Sequence, residues 1–115
     1  MSNNVGYIIT NQEKIGNGVG NMYIGSLYFT REVQTLIDDN KIQYEEIWEL
    51  VHRHASMDYG DIEEDSVELN DSNINHNYGT VLSSYTLHNI KIWVCTTLTE
   101  EVQDIYTTVM LPSEW

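Results

Sequence analysis

The sequence predicts an α+β domain in which two or three N-terminal helices pack on a C-terminal antiparallel sheet of three or more strands. Three observations carry that expectation. Apolar residues recur at spacings of three and four between residues 33 and 55, the period of a helix face. From residue 80 to residue 111 the pattern changes to β-rich stretches that alternate at period two. The links between those stretches are short, which makes neighbouring strands antiparallel. The 115 residues fit one domain, and no break in composition marks a boundary.

Residues 1–26 are rich in Asn, Gly and Ser. They are expected to be irregular or to hold two short strands, at 5–9 and 22–24. Between them, Gly16-Asn17-Gly18-Val19-Gly20 lacks the spacing of a phosphate-binding loop and reads as a flexible turn. From Leu27 the pattern reads as helical. Thr30 is placed to cap a helix, Glu32 suits its positive end, and Val33, Leu36 and Ile37 share a face. Asn40 suits a left-handed helix end. A second helix is expected over 42–55, with Tyr44, Ile47, Trp48, Val51 and Ala55 inward and Glu49 paired with Arg53. Val67, Asn70 and Ile74 form one weak face of a short third helix, in a segment whose Asn, Asp and Ser compete for backbone hydrogen bonds. Strands are expected over 80–87, 91–98 and 105–111. His88-Asn89 is the tight turn between the first two, and Pro112 ends the last.

Five Lys plus Arg against 18 Asp plus Glu give a net charge of −13. That balance opposes direct binding to nucleic acid or to an anionic membrane, since phosphate contacts need cations. It favours a basic partner, above all a protein whose basic surface normally holds nucleic acid. A single cysteine, Cys95, excludes an intrachain disulfide and fits a reducing cytoplasm. No apolar run is long enough to span a membrane, and the N-terminus lacks the features of a secretory signal.

No metal or cofactor site is expected. His52 and His54 sit two apart on a helix and point in different directions, while His76, His88 and Cys95 lack partners at ligand spacing. Cys95 lies in an apolar strand and reads as a small core hydrophobe. His54 falls seven residues after Ile47 and so faces inward. Beside Asp58 it would make an acid–base pair, but no nucleophile or oxyanion motif accompanies it, and a structural role is expected. The remaining signal is a run of carboxylates without Lys or Arg between them: Asp58, Asp61, Glu63, Glu64, Asp65, Glu68 and Asp71. Glu45, Glu46 and Glu49 form a second patch. Helix neighbours three or four apart lie about 5–6 Å from each other. Phosphates along one DNA strand advance about 3.4 Å each. A carboxylate row therefore approaches the charge density of a nucleic-acid backbone and suits a Lys/Arg-lined channel. Tyr59, Tyr78 and Trp115 are expected as exposed aromatic anchors beside it.

His54-Ala55-Ser56-Met57-Asp58-Tyr59-Gly60-Asp61, followed by Glu64-Asp65 and Asn70, resembles a small family of plasmid- and phage-borne proteins with an R-H-x-x-G-D-W-G-D pattern and an acidic helix ending in Asn. The likeness extends through Val81-Leu82-Ser83-Ser84-Tyr85 and Lys91-Ile92-Trp93-Val94 to Thr107-Thr108-Val109-Met110-Leu111-Pro112-Ser113-Glu114-Trp115, which is similar to the family's T-T-I-L-L-P-x-E-Y. Met57 stands where that pattern has glycine, Tyr59 where it has tryptophan, and Asp104-Ile105-Tyr106 where it has Asp-Arg. The resemblance implies an accessory or anti-defence protein of a mobile element, from a family with no established enzymatic activity, and a non-enzymatic role is expected. The composition is similar to that of small acidic inhibitors of CRISPR nucleases. The Asn-, Ile- and Tyr-rich usage resembles that of an AT-rich bacterial genome, a setting in which type II systems are common. The expected function is therefore inhibition of a CRISPR effector nuclease in the bacterial cytoplasm, by an acidic surface that competes with nucleic acid. The alternative is a plasmid or phage accessory protein that binds a basic host partner without inhibiting a nuclease.

Overall fold

In the computed structural model, residues 5–9 and 22–115 are described. The order of elements is β1 (Val5–Ile9), β2 (Ser26–Thr30), α1 (Arg31–Asp38), α2 (Tyr44–Ala55), α3 (Glu64–His76), β3 (Gly79–Leu87), β4 (Ile90–Leu98) and β5 (Tyr106–Met110). Short 3-10 turns lie at Val102–Asp104 and Pro112–Glu114. The strands form one sheet in the order β1-β2-β5-β4-β3. The fold is α+β, as the sequence predicts.

The three C-terminal strands make the expected antiparallel meander. His88 and Asn89 both have positive φ, 51° and 68°, the two-residue hairpin turn whose twist matches the strands it joins. The sheet also extends past the meander. β2 lies parallel to β5, and β1 adds antiparallel to β2. Residues 22–24 are not the expected strand. The Met22 N–H bonds the Ala55 carbonyl at the end of α2 (2.8 Å), and the strand begins only after Gly25 turns the chain at φ 66°. Leu27 and Phe29, which read as the approach to a helix, alternate inward along β2.

The helices α1, α2 and α3 end in the same way. Asn40, Met57 and Asn77 adopt left-handed conformations at φ 61°, 69° and 54°. The residue after each donates back five positions: Lys41 to Leu36, Asp58 to Arg53 and Tyr78 to Asn73. This is the Schellman arrangement, and Asn tolerates its conformation better than most residues. Met57 occupies the site without that advantage. Thr30 caps α1 as expected, accepting the Val33 N–H at 3.4 Å.

The helices α1 and α2 cover one face of the sheet. Val33, Ile47, Val51 and Ala55 meet Leu27, Phe29, Val81, Ile92, Val94 and Val109 in the core. The helix α3 instead runs beside β3, the sheet's outer strand.

Candidate functional site: a sealed sheet edge and an acidic helix face

His54 is fully buried at the centre of the helix–sheet interface. Its Nδ1 lies 2.6 Å from Ser83 Oγ and its Nε2 2.8 Å from Thr96 Oγ1. Thr96 Oγ1 is 2.6 Å from Thr107 Oγ1, which donates to the Ile24 carbonyl at 2.8 Å. A carbonyl only accepts, so the direction of every bond follows. Thr107 donates to Ile24, Thr96 to Thr107, and His54 Nε2–H to Thr96. Nδ1 then accepts from the Ser83 hydroxyl. His54 is thus a neutral Nε2–H tautomer, and burial pushes its pKa down to about 3. Ser83 is also fully buried, so this serine–histidine contact is closed to any substrate.

The pairing of His54 with Asp58 does not form. Asp58 faces Arg53, whose Nε donates at 2.8 Å and whose second nitrogen lies 3.4 Å away. That hydrogen bond holds the Asp58 carboxyl below its ordinary range. Arg53 accordingly pairs with Asp58 and not with Glu49, and its guanidinium lies 4.7 Å above the Tyr85 ring. The Tyr85 hydroxyl donates to the Asp58 carbonyl, and burial pushes its pKa up to about 12.

This turn docks the chain onto β3. Ser84 donates to the Tyr59 carbonyl at 3.0 Å and accepts from the Asp61 N–H at 2.7 Å. Gly60, at φ 72°, makes the approach possible, because a Cβ there would stand 2.1 Å from the Ser84 oxygen. Tyr59 is not an exposed anchor. It is buried, and its hydroxyl donates to Asp71 at 2.7 Å. Burial, and then this contact, raise its pKa.

Farther along the same edge, side chains of α3 take the place of a further strand. Asn70 Nδ2 donates to the Leu82 carbonyl at 2.9 Å, and its Oδ1 accepts the Leu82 N–H at 3.1 Å. Asn73 Nδ2 donates to the Thr80 carbonyl at 2.8 Å. An open strand edge invites pairing with another chain, and here three successive outward-facing positions, Thr80, Leu82 and Ser84, are taken.

Fixing Asn70 and Asn73 against β3 sets the rotation of α3. Val67 and Ile74 turn toward the core, while Glu64, Asp65, Glu68 and Asp71 are exposed, with Glu63 at the N-cap. Asp61 is exposed in the preceding turn. The structure thus places Glu63, Glu64, Asp65 and Glu68 along one helix. Asp58 is engaged by Arg53 and Asp71 by Tyr59. Glu45 and Glu49 are exposed on α2, a different helix. Glu46 is tied down: it accepts the Gln43 N–H at 2.9 Å and faces His88 at 2.9 Å, and the first of these contacts does most to hold its carboxyl below the ordinary range.

Among the described residues, no three His, Cys, Asp or Glu side chains are grouped to hold a metal ion, and no helix is long and apolar enough to cross a membrane. Cys95 is buried, and burial pushes its thiol pKa up to about 11. No protein-family model, no curated protein and no solved structure matches this chain.

Proposed function

We propose that the protein is a non-enzymatic binding protein that sets the exposed face of α3 against the basic nucleic-acid channel of a target. The target we favour is a CRISPR effector nuclease of type II, inhibited in the bacterial cytoplasm on behalf of a mobile element. The observation that supports this reading is the condition of the carboxylates on α3. Glu63, Glu64, Asp65 and Glu68 are exposed on a helix that carries no Lys or Arg. Acids in the first turn suit the helix dipole. Glu64 and Glu68, one turn apart, repel at a cost of a few tenths of a kcal/mol. A basic channel would remove that repulsion and would be approached quickly under electrostatic steering.

The test is capture by the tagged protein from a lysate that contains a type II nuclease, at low and high salt, followed by a DNA-cleavage assay. Salt-sensitive capture of the nuclease with loss of cleavage is expected. Capture of a different basic protein with cleavage intact would replace this reading with that of an accessory protein acting on another host partner.

A further inference from the structure

Beside the acidic face of α3 lies an apolar groove of about 230 Å³. Its walls are Ile62, Ser66 and Leu69 on one side, and Thr80, Leu82 and Trp115 on the other. Small-molecule and cofactor sites usually run to about 300–1,000 Å³, so the groove suits one anchoring side chain better than a cofactor. Its floor offers little to a polar ligand. Asn70 spends its carbonyl and an N–H on Leu82, and the Thr80 carbonyl is taken by Asn73. The walls are nonetheless open to solvent, with Leu69 61% and Trp115 69% exposed. Trp115 is also held in place. Its ring packs in a T-shaped arrangement with that of Trp93, centroids 5.7 Å apart, and the turn that carries it is fastened by Glu114, which accepts from Thr30 Oγ1 at 2.7 Å and the Leu111 N–H at 2.8 Å.

The rim decides what fits. Asp65 lies one turn before Leu69 and so beside it on the helix surface, which puts a carboxylate at the rim. Neither α3 nor β3 carries a Lys or Arg. An aliphatic or aromatic side chain alone would fill the groove and leave the rim charge unanswered. An arginine answers both. Its stem covers apolar surface, while its flat, weakly hydrated guanidinium stacks on an indole and bonds carboxylates. We infer that this groove seats an arginine side chain of a basic partner protein, with the stem along Leu69 and Leu82 and the guanidinium between Trp115 and the carboxylate rim. The inference rests on the proposed reading of a basic partner and names the anchor such a partner would use.

The test uses the full chain and a capped peptide probe, Lys-Ser-Arg-Ser-Lys, with its central residue changed to Ala or Leu in parallel, followed by NMR. The arginine peptide is expected to shift the Trp115 indole N–H and the Leu69 methyl signals. The Ala peptide should abolish those shifts and bind at least about threefold more weakly. Leu69→Ser should weaken the arginine peptide similarly. Leu69 is exposed, so this variant keeps the fold, which its amide spectrum checks. Shifts confined to the amides of residues 63–68 would overturn the groove and leave the acidic-face reading standing. Equal or tighter binding of the Leu peptide would overturn the assignment of arginine. No shift with any peptide would overturn both readings.

Discussion

The Nε2–H of His54 donates to Thr96 Oγ1 over 2.8 Å, joining α2 to β4 in the middle of the core. The bond belongs to a chain from Ser83 to the Ile24 carbonyl that leaves His54 no room for a second proton. Its pKa is pushed down to about 3 in the folded protein, against about 6.5 in the unfolded chain. Above the unfolded value the group contributes no pH dependence. As pH falls from there toward the folded value, the unfolded state takes up the proton first and stability is lost, at about 1.4 kcal/mol per unit. The stability advantage of the wild type over His54→Gln should therefore shrink by about 2 kcal/mol between about pH 7 and pH 5 in denaturant titrations. Comparison with a variant that cannot titrate cancels the contributions of the carboxylates.

Asn70 acts as a piece of strand. Asn70→Ala leaves the N–H and the carbonyl of Leu82 without partners at a partly covered edge and should cost about 2–3 kcal/mol. Asn70→Asp keeps an acceptor for the N–H but faces a carboxylate against the Leu82 carbonyl, and should cost at least as much. In both variants the Leu82 amide should exchange with solvent faster than the amides of β4.

Gly60→Ala combines a left-handed backbone with a Cβ driven against the Ser84 oxygen and the Tyr85 ring. Neither neighbour gives way without undocking the turn from β3. The variant should lose about 3 kcal/mol or more, read as a lowered midpoint of thermal unfolding. A loss of less than about 1 kcal/mol would mean that the contact between Gly60 and β3 is loose.

Helix and strand boundaries after residue 30 were legible because amphipathic period, caps and turn residues agree there. Thr30, Asn40 and His88-Asn89 each do what their chemistry suggests. The inward direction of His54 was legible from its seven-residue distance to Ile47. Its partners were not, since Ser83, Thr96 and Thr107 are distant in sequence and resemble strand residues that face solvent. The burial of Tyr59 was not legible for the same reason, as it depends on a turn that closes against β3. The short strand β2 was hidden by apolar residues that fit either period. Its parallel pairing with β5 comes from tertiary packing across most of the chain. The carboxylates of α3 were visible from the start. Which of them stay exposed is set by Asn70 and Asn73, whose bonds to the sheet edge no spacing rule reveals. The loop at residues 16–20 lies outside the described residues.

The central claim is that the exposed carboxylates of α3 bind a basic channel. The most direct measurement is a DNA-cleavage titration of a type II nuclease at physiological salt, with the wild type beside a variant that combines Glu63→Lys, Glu64→Lys and Asp65→Lys. All three side chains are exposed and none is needed by the core, so thermal unfolding should show a folded protein. The account predicts that the wild type inhibits and that the variant needs about tenfold more protein, or fails. Inhibition of equal potency by the folded variant would contradict it.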